Sequence, residues 1–182
     1  MAESAQSRQS REWIATALTE LMEKQPYAQI TISEITRRAG VARLTFYRHY
    51  ATKEEVLEDR LARIFEEYEA EVNACKSMTM REALALCFSF WATYAGDIRL
   101  LKVNGLDRLL YAPFTAYLEE MLSKWHVGEA MQALQKQFLV GGLYFAMLEH
   151  ILSPGICSAE EAADQVLELL RLPDAGGQTF TY

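Results

Sequence analysis

Cysteine is sparse in this 182-residue chain, and the three that occur form no pattern. Cys75, Cys87 and Cys157 are odd in number, widely separated and outside any CxxC or Cys/His arrangement, which argues against a disulfide framework and against a zinc site. Long apolar runs are missing too. The longest, residues 138–148, spans eleven positions, short of the roughly 20 that a membrane-spanning helix needs. The opening MAESAQSRQSREW is polar and lacks the apolar core of a secretory signal, so a cytoplasmic protein is predicted. Catalytic signatures are absent as well: there is no GxSxG, HExxH, P-loop or GxGxxG. His49 falls in a basic segment, His126 and Glu129 are three apart without a third ligand, and Glu149 and His150 are adjacent and so point to different helix faces. No enzyme, metal or cofactor is expected.

Proline is confined to positions 26, 113, 154 and 173, and no stretch alternates cleanly with period two. The periodicity present is helical. Ile14, Ala17, Leu18, Leu21 and Met22 recur at the spacing of one buried helix face, and Leu57, Leu61, Ile64, Phe65 and Tyr68 do the same. Helix starts are marked by four capping boxes, in which a hydroxyl accepts from a backbone amide while a Glu three residues on reaches back: Thr31 with Glu34, Thr52 with Glu55, Thr79 with Glu82, and Ser158 with Glu161. Stops are read at Gly40, at Gly96 and at Ser-Pro-Gly, 153–155. These signals predict an all-α protein with helices at about 7–24, 32–39, 43–49, 53–73, 80–95, 128–152 and 159–171, with further helical segments between 97 and 125. The tail from Pro173 reads as frayed, with Phe180 and Tyr182 as candidates to dock.

Charge is unevenly placed. The total is −7, yet residues 1–50 hold seven Lys/Arg against five Asp/Glu, or +2, which leaves −9 for the rest. The segment RRAGVARLTFYRHY, 37–50, contains four arginines, one histidine and no acid. Helix 32–39, a turn at Gly40 and helix 43–49 make a helix-turn-helix, with Ile32, Ile35, Ala39, Val41, Leu44 and Phe46 as candidate apolar contacts. Such a unit is too small to fold alone, and helix 7–24 offers the face that completes a three-helix core. Arg43, Thr45, Tyr47, Arg48 and His49 are left over as donors to phosphates or base edges. Composition alone leaves two readings open, a DNA-reading face and a basic face solvated or packed on an acidic neighbour.

The segment ITISEITRRAGVARLTFYRHYATKEEVLEDRL, 30–61, resembles the DNA-binding domain of the TetR family of transcriptional regulators, through Thr31, Ile35, Ala39, Gly40, Val41, Thr45, Phe46, Tyr47, His49, Tyr50, Lys53, Glu54 and Leu57. The resemblance covers about the first 65 residues and implies an N-terminal three-helix helix-turn-helix domain, 1–52, a connecting helix, 53–73, and a helical regulatory and dimerisation domain, 74–182. It also implies roles. Thr31 caps its helix and touches phosphate, Arg43 and Leu44 meet base edges, Thr45 reaches base or phosphate, Tyr47 and His49 contact the backbone with Arg48 beside them, and Lys53 adds a cation at a phosphate. Two residues depart from the family pattern: Ala42 stands where a capping Ser is common, and Leu44 where Gly is common.

Beyond Thr79 the stretches 83–95 and 138–148 carry no charge on any face, so each helix is expected to be surrounded by protein, one within its own domain and one by a second subunit. Gly141 and Gly142, each costing about 1 kcal/mol in a helix relative to Ala, are read as allowing close helix approach. The family resemblance implies that helices 128–152 and 159–171 pair with their copies in a homodimer that reads a palindromic operator. FLVGGLYFAMLEHILSPG followed by SAEEAADQVLELL is further similar to regulators related to activators of dihydroxyacetone kinase genes. A small-molecule effector pocket is the family's other usual feature, and Phe88, Trp91, Tyr94, Asn104, Phe114, Tyr117, Met121, Phe138 and Tyr144 are the residues expected to line it, for a neutral apolar or aromatic ligand. The alternatives are plain core packing of those aromatics, and a helical interaction protein or activator that works through a protein partner without an effector. No membrane association is expected, because the apolar helices lack a basic amphipathic face.

Overall fold

The computed structural model describes residues 5–75, 77–124, 132–153, 155–170 and 180–181. Among them the chain forms α1 (Ala5–Met22), a 3-10 turn (Tyr27–Gln29), α2 (Ile32–Ala39), α3 (Arg43–His49), α4 (Lys53–Ala74), β1 (Ser77–Met78), α5 (Met80–Thr93), α6 (Ala95–Val103), α7 (Arg108–Lys124), α8 (Ala133–Leu152), α9 (Ala159–Leu170) and β2 (Phe180–Thr181). The fold is all-α apart from the two-residue antiparallel pairing of β1 with β2, Ser77 opposite Thr181 and Met78 opposite Phe180. A pairing this short carries no period-two signal, which is why the sequence pattern does not announce it. The remainder of the tail, and the start of the helix expected from 128, lie outside the described residues.

Two compact units form, one from Met1–Glu66 with Leu100–Gly105 and one from Glu67–Arg99 with Leu106–Tyr182. The division falls inside α4 and again inside α6, so each of these helices belongs to both units. In the first unit the α1 stripe of Ile14, Ala17, Leu18 and Met22 is buried with Ile35 of α2, Phe46 of α3, and Val56, Leu57, Leu61 and Ile64 of α4. Leu44 is not part of this core. It is 79% exposed, because a seven-residue helix with Phe46 turned inward directs position 44 outward. Tyr50 takes the inner place instead, and the Phe46 and Tyr50 rings pack at 5.8 Å.

In the second unit α5 packs on α8 and α9, and α7 on α8. Its core is aromatic, with Tyr68, Phe88, Trp91, Phe114 and Tyr144 all buried. Neither uncharged stretch is surrounded on all sides: α5 buries Ala83, Leu84, Cys87, Phe88, Phe90 and Trp91 but exposes Ser89, Ala92 and Thr93, and on α8 Leu134, Phe138 and Phe145 are 84%, 83% and 65% exposed. A Cβ built on Gly141 or Gly142 meets nothing within 4 Å among the described residues, so neither glycine marks a close helix approach there.

Three capping boxes take the expected form, at Thr31, Thr79 and Ser158. At Thr52 the hydroxyl accepts from the Glu55 amide, but the Glu55 carboxylate reaches the amide of Ala51 rather than that of Thr52. Gly40 is left-handed at φ 68°, and the Gly40 and Val41 amides return to the Arg37 and Thr36 carbonyls, closing α2 sharply. The stop expected at Gly96 comes earlier. Helix α5 ends at Thr93, the amide of the capping residue Tyr94 turns back to Trp91, and Gly96 lies inside α6.

Candidate nucleic-acid interface

With Phe46 and Tyr50 committed to the core, the remaining side chains of α3 must face away from it. Arg43, Leu44, Tyr47 and Arg48 are exposed, and Thr45 and His49 are half-buried beside them. Arg43 does not wave freely, for its guanidinium donates to the Tyr47 hydroxyl at 3.1 Å one turn on and lies 5.5 Å from the centre of that ring. The helix therefore presents a held cation, an apolar tip and a phenol in one row. Leaving Leu44 in water forgoes about 1.5–3 kcal/mol of burial, which a surface closing over it would recover. Ala42, at the N-cap, offers no side-chain bond to the first amides of α3.

Arg37 and Arg38 end α2, and Arg38 is paired with Glu20 at 2.6 Å, which leaves Arg37 the more available to a phosphate. Thr31 keeps its hydroxyl for the cap, donating to Glu34 at 2.7 Å while accepting from the Glu34 amide. Those bonds from the Thr31 hydroxyl and amide hold the Glu34 carboxyl below its ordinary pKa. Lys53, expected to add a cation at a phosphate, is engaged within the chain. Its ammonium donates to the Tyr27 and Ile30 carbonyls at 2.5 and 2.8 Å and sits 4.2 Å over the Tyr27 ring. Burial there lowers its pKa, against the opposing charge of Glu34.

A cluster that the sequence reading missed fixes the recognition helix from behind. Asp59 accepts from the Tyr50 hydroxyl at 2.7 Å, from Arg11 through two nitrogens, and lies 3.3 Å from Arg63, which also reaches Glu12 at 2.6 Å. Burial and the Asp59 carboxylate raise the Tyr50 pKa well above its ordinary value, so the phenol is a fixed donor. The residues are 9 and 48 positions from Asp59. Only the Asp59/Arg63 pair, four apart on α4, was visible in the sequence.

The residues expected to line an effector pocket divide. Trp91 and Phe114 lie 4.3 Å apart between ring centres, Tyr144 is 6.0 Å from Phe114, and Tyr94 is 6.3 Å from Trp91. Tyr117 joins them through Tyr68, ring on ring at 5.0 Å and hydroxyl to hydroxyl at 2.9 Å. Phe88 instead packs on His150, and Met121 is buried. Phe138 points outward on α8, and Asn104 belongs to the other unit. A cavity of about 370 Å³ in the second unit is lined by Glu119, Leu122, Ser123, Lys136, Gln137 and Val140 among others, and by none of the nine expected residues. His126 and Glu129 fall outside the described residues, and no group of three metal-ligating side chains occurs among those described. No described helix is long and apolar enough to cross a membrane.

The chain is thus an all-α protein of the helix-turn-helix class by fold, whose second motif helix projects an arginine, a leucine and a tyrosine. Residues 14–59 match the family described as bacterial regulatory proteins, tetR family. Over 43 residues, 24% of this chain and 11% of the other, it is 58% identical to the HTH-type transcriptional regulator YxbF of Bacillus subtilis. Over 99 residues, 52% of this chain and 50% of the other, it is 30% identical to the fatty acid metabolism regulator protein of the same organism. The matches thus span at most half the length of these curated relatives. Among solved structures, Lin0861 of Listeria innocua superposes with a TM-score of 0.76 at 14% identity over 94% of both chains. The dihydroxyacetone kinase operon activator DhaS gives 0.59 at 22% over 89% and 94%, and FadR of Bacillus subtilis in complex with stearoyl-CoA gives 0.56 at 22% over 87% and 96%. These likenesses show that the chain shares its fold with those structures.

Proposed function

We propose that the protein is a sequence-specific DNA-binding transcriptional regulator whose α3 enters the major groove. The observation that carries this is the outward row of α3: Arg43 braced on Tyr47, with Leu44 beside it and no acidic side chain on the helix. Arg43 is suited to guanine O6 and N7, and Leu44 to a thymine methyl. Thr31, Thr45, Tyr47, Arg48 and His49 are assigned to phosphates or to the base edges nearest them. Lys53, already bonded to two carbonyls, contributes by tying the turn before α2 to the start of α4 as much as by its charge.

The working unit is a homodimer formed through α8 and α9. Leu134, Phe138 and Phe145 lie on one exposed stripe with Gly142 between them, and Leu169 of α9 is 83% exposed. A stripe of this kind is costly in water and is covered by a two-fold copy. The open space above Gly141 and Gly142 leaves room for that copy's backbone. Two reading heads then meet half-sites about one helical turn, 34–36 Å, apart.

We assign the second unit to effector control, with repression as the output. Acyl chains are the ligand class to try first, because the 30% identical relative is a fatty acid metabolism regulator and the cluster around Trp91 and Phe114 carries no charge. The second reading, an activator working through a protein partner, is favoured by the packing of that cluster and by the likeness to DhaS. Selection of random duplexes on the purified protein tests the main claim. It should yield a palindrome whose affinity falls by orders of magnitude between low and moderate salt; recovery of no common sequence would reject it. Titration of acyl-CoA and free fatty acid into the complex separates the effector reading from the partner reading.

A further inference from the structure

The amide of Tyr27, in the turn joining α1 to α2, donates to Oδ1 of Asn104 at 2.8 Å, across 77 positions of chain. Asn104 directly follows α6, and its own Nδ2 donates to the Leu100 carbonyl at 2.9 Å, which leaves Oδ1 as the atom turned to the neighbour. On its other side the same turn is held by Lys53, which takes the carbonyls of Tyr27 and Ile30 and covers the Tyr27 ring. Ile30 is 2% exposed and precedes Thr31, the N-cap of α2. One three-residue turn is thus gripped by the first residue of α4 and by the residue that ends α6.

Both gripping helices cross between the two units, α4 from Lys53 onward and α6 toward Asn104. Their ends in the first unit converge on Tyr27. We propose that Asn104 is a positioning residue for DNA recognition: through the Tyr27 amide it holds the turn that sets the entry of α2, and so the placement of the helix-turn-helix. The inference rests on the DNA-binding reading above and adds to it a residue that touches neither DNA nor effector.

The test uses the full chain and a duplex selected by the wild-type protein. Asn104→Ala should weaken binding about tenfold without changing the dependence on salt, since no phosphate contact is lost. Asn104→Asp keeps the Oδ acceptor and should return affinity to within about twofold. Amide exchange at Tyr27 should accelerate in Asn104→Ala and stay slow in Asn104→Asp. Asn104→Ser, polar but too short to reach Tyr27, must behave as Asn104→Ala does and serves if that variant fails to fold. Wild-type affinity in the Ala and Ser variants, or an Asp variant as weak as they are, would overturn the inference. A wild-type protein that selects no duplex would remove the DNA-binding reading and this inference with it, while unchanged binding by Asn104→Ala removes the inference alone.

Discussion

Truncating Phe138 to alanine should dissociate the dimer. Phe138 is 83% exposed in the single chain, with Leu134 at 84% one turn before it and Phe145 at 65% two turns after. Full burial of such a side chain contributes about 1.5–3 kcal/mol, and a two-fold interface counts each position twice. Loss of the Phe138 ring from both copies therefore removes about 3–6 kcal/mol of association energy. That raises the dimer dissociation constant by about two to four orders of magnitude. Sedimentation equilibrium across a concentration series reads this directly. Trp13→Ala is the control, since Trp13 is 50% exposed but lies on α1, in the first unit. A Phe138→Ala protein as dimeric as wild type, or equal dissociation by Trp13→Ala, would refute the assignment of the interface to α8.

Other consequences follow from single positions. Ala42→Ser supplies the missing cap of α3 and should stabilise the protein by about 0.5–1 kcal/mol, a rise of about 1–4 °C in Tm by calorimetry. Burial raises the phenol pKa values of Tyr50, Tyr68 and Tyr144, the last from 10.0 to about 12. The folded state then holds these protons more tightly than the unfolded one. Their contribution is complete below the ordinary phenol pKa and is lost as pH rises through the folded values, so Tm should fall between about pH 10 and pH 12; a flat profile there would contradict the burial. The Cys87 thiol is buried and pushed up to about 12, whereas Cys75 and Cys157 are half-buried. A disulfide reagent at about pH 8 should titrate Cys75 and Cys157 in the native protein and Cys87 only on unfolding.

How far the sequence carried depended on the range of the interaction. Helix boundaries were legible because capping is local: Thr31 with Glu34 and Gly40 at the end of α2 declare themselves within a few residues. The outward face of α3 was legible once Phe46 was placed inside, since helical geometry dictates the rest. What pattern could not deliver was contact between distant segments. Asn104 reads equally well as a pocket tip and as a partner for a remote amide; the structure pairs it with Tyr27. Phe138 reads as core or as interface, because an uncharged helix does not say which chain encloses it. Lys53 looked like a surface cation only because the carbonyls it binds are 23 and 26 residues away.

The claim that α3 reads base sequence is tested most directly by measuring Arg43→Ala against every single base-pair variant of the selected duplex, at one salt concentration. Arg43 is predicted to supply discrimination of about 1–3 kcal/mol at one base pair of each half-site, and the variant should lose preference there while keeping its preferences elsewhere. Unchanged affinity and unchanged preference at every position would contradict the account.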